Sequence, residues 1–139
     1  MEKADIDLAY FAGIIDGEGT IDISGGSIRL RVINTDEKLI KWILDKFEGK
    51  LLEYEKSENR RKKYEWRVSG KEAYKIFKLL ENILIIKKEQ AKICIFLYEK
   101  VTRWNFLGRK TMPRWAKNYR TECAQKIHVL NQGTNDISK

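Results

Sequence analysis

The chain has 139 residues, of which 42% are hydrophobic, so it is long and apolar enough to bury the core of one domain. Its formal net charge of +8 favours a polyanionic partner. Because no apolar run reaches the roughly 18 residues of a membrane span and no signal peptide precedes the first acidic residues, we expect a non-secreted, intracellular protein that binds nucleic acid rather than a membrane.

The first predicted element is an apolar helix with small residues along one side. Asp7 is a suitable N-cap, and Ala9, Gly13 and Gly17 follow at intervals of four residues, which places them on one helix face. A glycine inside a helix costs about 0.5–1 kcal/mol relative to alanine. Close approach of another backbone would explain why this sequence tolerates two of them.

Two acidic residues, Asp16 and Glu18, stand at the end of this helix. The helix macrodipole is negative there, so each carboxylate is expected to cost a few tenths of a kcal/mol or more. The acids therefore need a partner that the helix alone does not provide.

Alternating polar and apolar residues predict two strand pairs after the helix. The first pair covers residues 20–24 and 27–34 around a Gly25-Gly26 turn, and the second covers "KLLEYEK" and "YEWRVS" around the basic loop "SENRRKK". A helix capped at Asn34 or Thr35 separates the pairs, and further helices are expected over about residues 71–82 and 88–101. Cys94, in the apolar segment "KICIFLYEK", is interpreted as a buried structural thiol, and the two cysteines with the single His128 match no familiar zinc spacing.

This order of elements predicts an α+β domain, with an antiparallel sheet covered by helices on one face. In the second strand Ile28, Leu30 and Val32 point one way, whereas Arg29 and Arg31 point to the opposite, polar face. Strand twist would curve that face to suit a duplex groove. An ordinary solvated sheet face is the alternative.

The C-terminal third is strongly basic. Residues 103–121 contain six basic residues and no acid, with Trp104, Trp115 and Tyr119 among them. The aromatic rings could anchor the segment on the core while its cations reach phosphates; a basic helix with tryptophans in the core is the alternative. We expect a domain over residues 1–105 and a basic helical extension over 106–139 packed on it.

The segment "FAGIIDGEG" at residues 11–19 resembles the LAGLIDADG signature of homing endonucleases and related intron maturases. Its departures, Phe11, Gly17 and Glu18, are common in that family, and Glu18 keeps the carboxylate. The segments "VINTDEKLIKWI" and "IIKKEQAKI" and the order αββαββα also resemble one-motif members, over roughly residues 5–105. The resemblance implies the family's αββαββα fold, in which a four-stranded antiparallel saddle binds DNA and the helices cover its other face.

The resemblance also implies a homodimer, because only one copy of the motif is present. Two copies of the first helix would pack together through their small residues, and the implied interface residues are Ala9, Ala12, Gly13 and Gly17. The alternative is that this small face packs against another helix of the same chain.

The implied chemistry is metal-dependent cleavage of DNA. Dimerisation would bring two Glu18 carboxylates together, and a hard cation would relieve their repulsion. By resemblance, Glu18 binds Mg²⁺ with help from the Gly17 carbonyl; Mn²⁺ is a possible substitute and Ca²⁺ a non-cleaving one. Lys87 matches the lysine near the scissile phosphate, with Lys88 as the alternative if the alignment shifts by one residue.

Two further positions are implied by the resemblance as catalytic. Asn34 falls where the family often has a glutamine that positions water, and Lys38 falls where it has a basic residue. Asn34 is equally well interpreted as a helix cap, and Asp16 as a helix-end or interface group.

The implied DNA-binding set lies on the polar side of the strands and in their loops. It consists of Asp22, Ser24, Arg29, Arg31, Arg60, Arg61, Lys62, Lys63 and Arg67. Arginine forks can read guanine edges in the major groove, whereas the cluster at residues 60–63 would meet backbone phosphate or form a solvated hairpin tip.

The resemblance therefore implies an intron-encoded, site-specific double-strand DNA endonuclease, a homodimer with a long, near-palindromic target. The host compartment would be a prokaryotic cytoplasm or an organelle. Two alternatives remain on the same fold: an RNA-binding maturase with weak or no cleavage, and a non-catalytic DNA-binding regulator.

Overall fold

A computed structural model describes residues 2–55, 61–106 and 113–137 of the chain. Helices and strands follow one another as α1 (Lys3–Glu18), β1 (Gly19–Ser24), β2 (Ser27–Asn34), α2 (Glu37–Phe47), β3 (Lys50–Tyr54), β4 (Lys63–Ser69), α3 (Gly70–Leu80), α4 (Lys88–Phe106) and α5 (Arg114–Ile137). None of the helices in the described part is both long and apolar enough to cross a membrane.

The four strands form one antiparallel sheet in the order β1-β2-β4-β3. The predicted alternation in β2 is confirmed, because Ile28, Leu30 and Val32 are buried beneath the helices. Trp66 of β4 lies opposite Val32 and packs its ring edge against Phe11 of α1, with ring centroids 5.5 Å apart. The helices therefore cover one face of the sheet, and the polar face stays open, as predicted.

Helix α1 begins earlier than predicted, at Lys3 with Glu2 as N-cap. Asp7 is not the N-cap; it lies in the second turn, where its carboxylate is 3.6 Å from Lys46 Nζ. The helix passes into β1 at Gly19, whose N–H donates to the carbonyl of Ile15. A Cβ at Gly19 would lie 2.8 Å from that carbonyl oxygen, so only glycine fits this junction.

Helix α2 is capped by Asp36, whose carboxylate accepts from the Lys38 N–H at 2.9 Å. The predicted cap at Asn34 or Thr35 was wrong by one or two residues. The Asn34 side chain instead accepts the N–H of Asp36 at 2.8 Å, which fixes the turn between β2 and the helix.

Helix α5 packs against both α4 and β1. The buried Gln90 of α4 donates to Asn131 Oδ1, and Asn131 donates in turn to the carbonyl of Ile21, each at 3.2 Å. This polar link joins three elements and fixes α5 to the edge of the sheet.

The prediction that aromatic side chains anchor the basic segment on the core is confirmed in part. Tyr119 packs against the core, and Lys100 Nζ lies 4.1 Å from its ring centroid. Trp115 is 45% exposed, and its ring centroid lies 5.5 Å from the same Lys100 Nζ. The Trp104 side chain lies outside the described part. The guanidinium of Arg120 lies over Gly26 in the turn between β1 and β2.

Burial raises the pKa of the Cys94 thiol, as expected of a structural cysteine.

Candidate nuclease centre and nucleic-acid face

The carboxylate of Asp16, near the end of α1, accepts three successive backbone N–H groups. They belong to Ile85, Ile86 and Lys87, at 2.9, 3.0 and 3.0 Å. Both oxygens are used, so Asp16 acts as a clamp on the loop before α4. This agrees with the predicted helix-end role and removes Asp16 from the set of free metal ligands.

The side chain of Lys87, in the same loop, contacts the end of α1 in turn. Its Nζ donates to the carbonyls of Ile15 at 3.1 Å and Asp16 at 2.8 Å, which places a cation at the negative end of the helix. Burial lowers the pKa of Lys87, and the charges of Asp16 and Glu18 act in the opposite direction. Lys88 begins α4 instead, so the geometry favours Lys87 over Lys88 as the lysine of this site.

Glu18 is exposed at the last position of α1 and lines a cleft of about 260 Å³. The cleft is also lined by Ile33, Asn34, Thr35 and Lys63. The structure thus brings together predicted residues from α1, β2 and β4. Lys38 lies exposed in the first turn of α2 and does not line this cleft.

The small residues of α1 divide between two environments. Ala9, Gly13 and Gly17 are exposed, and a Cβ added at either glycine would meet nothing within 4 Å. Within residues 2–55, 61–106 and 113–137, therefore, this face does not pack against the chain's own helices, contrary to that alternative. The prediction that Ala12 belongs to the dimer interface requires a correction, because Ala12 is only 2% exposed and belongs to the hydrophobic core of the chain itself.

Apolar side chains border the exposed glycines. Ile6 and Tyr10 lie on the same stretch of α1 and are 52% and 58% exposed. Ile85 and Ile86, in the loop that Asp16 holds, are 85% and 54% exposed. Together with Gly13 and Gly17 they form an uncovered helix face with apolar residues at both ends.

Charged side chains run across the open face of the sheet. The guanidinium of Arg29 donates to both oxygens of Asp22, at 2.8 and 2.7 Å. Arg31 lies 3.9 Å from Asp22 and 3.6 Å from Glu65, and Arg67 lies 2.6 Å from Glu65. These five residues, which we call the charge ladder, connect β1, β2 and β4.

Sequence reasoning missed Glu65, although it is 0% exposed and occupies the centre of the charge ladder. The signal was available, because Glu65 is two residues from Arg67 in β4 and therefore shares its face. A buried carboxylate needs cationic partners, and the two flanking arginines supply them.

The remaining predicted DNA contacts lie around the ends of the strands. Ser24 and Arg61 are exposed, whereas Lys62 Nζ lies 2.9 Å from a carboxylate oxygen of Glu53. Lys63 is the first residue of β4. Arg60 lies outside the described residues.

Replacing Asp16 with asparagine should loosen the loop that carries Lys87. The amide keeps one acceptor oxygen instead of two, and charge-assisted bonds of this kind are worth about 1.5–3 kcal/mol each when buried. Since the clamp is partly exposed, we expect a loss of about 1–2 kcal/mol in the free energy of unfolding and faster hydrogen exchange at the amides of Ile85, Ile86 and Lys87. Asp5→Asn, in the exposed first turn of α1, is the control. Unchanged exchange at the three amides would contradict the clamp.

Neither a protein-family model nor a curated protein matches this sequence. Solved structures do match. The homing endonuclease I-CvuI, in complex with an I-CreI target in the presence of Mg and with the DNA not cleaved, superimposes with a TM-score of 0.71 at 18% identity, over 91% of this chain and 83% of that one.

Two further structures agree with the first. I-CvuI in complex with its own target in the presence of Ca gives a TM-score of 0.60 at 20% identity, over 90% of this chain and 96% of that one. The archaeal intron-encoded homing endonuclease I-Vdi141I, complexed with DNA, gives 0.62 at 15% identity, over 91% and 99%. The predicted fold class is confirmed: the chain has the LAGLIDADG homing endonuclease fold.

Proposed function

We propose that this protein is a site-specific double-strand DNA endonuclease that acts as a homodimer on a long, near-palindromic target. The observation that carries the proposal is the position of Glu18. It is an exposed carboxylate beside the cation of Lys87, at the end of a helix whose glycine face is uncovered. The fold neighbours are complexes of homing endonucleases with DNA, which supports the same substrate here.

The residues at the end of α1 fit one part of a divalent metal site. Within the described part of the chain, no three His, Cys, Asp or Glu residues are close enough to hold a metal ion together. Asp16 is occupied by backbone N–H groups, which leaves the Glu18 carboxylate and the Gly17 carbonyl. Mg²⁺ is commonly held by one or two carboxylates plus phosphate oxygens. A second copy of the chain and the DNA would supply the remaining ligands.

Bound Mg²⁺ would act as a Lewis acid on the phosphate and lower the pKa of a water molecule. The chain's own residues would then position the reactants. Lys87 would hold a positive charge beside the scissile phosphate, and Asn34, which lines the cleft with Glu18, would hold a water molecule through its side-chain NH2 group, because its Oδ1 already accepts the Asp36 N–H. In the hydrolysis the water oxygen bonds to phosphorus, the ester P–O bond breaks, and the departing oxygen takes up a proton.

The open sheet face is proposed to read the base edges of the duplex. In the charge ladder three arginines and two carboxylates leave a net charge of only +1, although the whole chain carries +8. A nearly neutral, preorganised face suits hydrogen bonding to bases. The excess charge elsewhere suits phosphates, so binding should weaken steeply with salt.

A library of randomised duplex targets, incubated with the purified protein and Mg²⁺, tests the proposal. Sequencing of the new ends should reveal double-strand breaks at one near-palindromic site. Binding to DNA with no breaks at any site would instead support a non-catalytic regulator, and preferential binding to structured intron RNA would support a maturase.

A further inference from the structure

We propose that Lys63 is a further catalytic residue of this centre, the cation that contacts the scissile phosphate from the side opposite Lys87. The inference rests on the proposed nuclease function and deepens it. Sequence reasoning placed Lys63 in a basic loop that would meet backbone phosphate or form a solvated hairpin tip. The structure places it in the cleft of Glu18.

The strand register brings Lys63 to this position. Lys63 opens β4, where it pairs with Tyr54 of β3, and the next residue, Tyr64, pairs with Asn34 at the end of β2. Side chains alternate along a strand, so Lys63 shares the open face with Glu65 and Arg67. Lys63 therefore lines the cleft from β4, whereas Lys87 lies in the loop before α4 and contacts the end of α1.

Lys87 and Lys63 differ in how many N–H donors of their ammonium groups remain unused by the protein. An ammonium group carries three N–H donors, and Lys87 uses two of them on the carbonyls of Ile15 and Asp16. Lys63 has no ion pair with any acidic side chain within the described ranges, although it is partly buried. Its donors are available to a phosphate, while those of Lys87 are largely committed to holding the helix end.

The electrostatics of the cleft favour a cation in addition to Lys87. Glu18 makes one wall of the cleft negative, the Lys87 ammonium group is already bonded to the carbonyls at the end of α1, and a phosphate brought beside them adds further negative charge. As the attacking water bonds to phosphorus, negative charge builds on the phosphate oxygens, and a fixed cation there stabilises the transition state more than the bound substrate. Lys63 is the side chain of the cleft that can supply this charge.

The neighbouring Lys62 does not line the cleft, so the proposed role belongs to Lys63 and not to the basic loop in general. Lys62 Nζ contacts Glu53 at 2.9 Å and lies 5.8 Å from the ring centroid of Tyr64, on the opposite side of the strand. Lys62 is thus paired with β3, whereas Lys63 lines the same cleft as Glu18.

The test is Lys63→Met in the full-length protein, assayed on the target found by library sequencing. Single-turnover cleavage with enzyme in excess and Mg²⁺ should slow by about 10²-fold, the effect of removing one preorganised stabilising group. The Kd measured with Ca²⁺ should change by less than about threefold, since one of many phosphate contacts is lost. Lys63→Arg, which keeps the charge, should recover part of the rate.

Lys41→Met is the matched control, because Lys41 pairs with Glu37 on α2 and lies outside the cleft. Its rate and Kd should match those of the unmodified protein. A Lys63→Met rate equal to that of the unmodified protein would overturn the inference, as would a rate loss that saturating enzyme restores, because that marks a binding contact only. If the unmodified protein cleaves no target, the proposed function fails first, and this inference fails with it.

Discussion

Cleavage by the Glu18→Gln protein is expected to fall at least about 10³-fold, while its affinity for the target stays within about threefold. Glutamine has nearly the same shape but carries no charge, so it removes the carboxylate proposed to hold the metal ion. Because Glu18 is exposed and is not one of the buried residues of the core, the fold should be unaffected. Cleavage is measured under single turnover with Mg²⁺, and binding is measured with Ca²⁺.

Glu122→Gln provides the control for this substitution. Glu122 is also exposed, pairs only with Lys126 on α5 at 3.6 Å among the ion pairs of the described residues, and does not line the cleft of Glu18. Its cleavage rate should equal that of the unmodified protein. If Glu18→Gln instead loses DNA binding but cleaves bound DNA at the normal rate, Glu18 is not a metal ligand.

A bulky residue at position 13 is expected to separate the proposed dimer. Gly13→Leu places a branched side chain on the exposed face of α1, where a Cβ meets nothing within 4 Å in the single chain. The monomer should therefore tolerate leucine and gain up to about 1 kcal/mol of helix stability. Two helices packed through their glycines would clash, so the dimer dissociation constant should rise by at least about 100-fold, and double-strand cleavage should be lost with it.

Sedimentation over a range of concentrations measures this effect. Gly133→Leu is the matched control, since Gly133 is also an exposed helical glycine with nothing within 4 Å of an added Cβ. It should leave the sedimentation of the protein unchanged. A Gly13→Leu protein that sediments like the unmodified dimer would show that α1 is not the interface.

Features set by local periodicity were predictable from the sequence. The alternation of Ile28, Leu30 and Val32 against Arg29 and Arg31 directly gave the two faces of β2, because successive side chains of a strand must point to opposite sides. Glu18 and Lys87 were singled out by the family resemblance, and the hydrogen bonds of Lys87 explain how the loop and the helix meet.

Features set by tertiary packing were not predictable. Spacing alone placed Ala12 with the other small residues, but only the position of the core determines which side of α1 is covered. The same holds for Trp115, whose exposure depends on how α5 lies on α4. Local start signals were also ambiguous: Asp7 and Asn34 are good caps by residue type, yet the helices begin at Lys3 and Glu37.

The fully buried Glu65 has a consequence for any attempt to redirect the proposed endonuclease to a new target. Its carboxylate is shared by Arg31 on one strand and Arg67 on another, and Arg31 also approaches Asp22. Exchanging one arginine would leave the buried carboxylate with a single cationic partner and disturb its neighbour, so effects of single exchanges should not add. A change of target specificity would therefore require these side chains to be varied together, rather than one residue for each base pair.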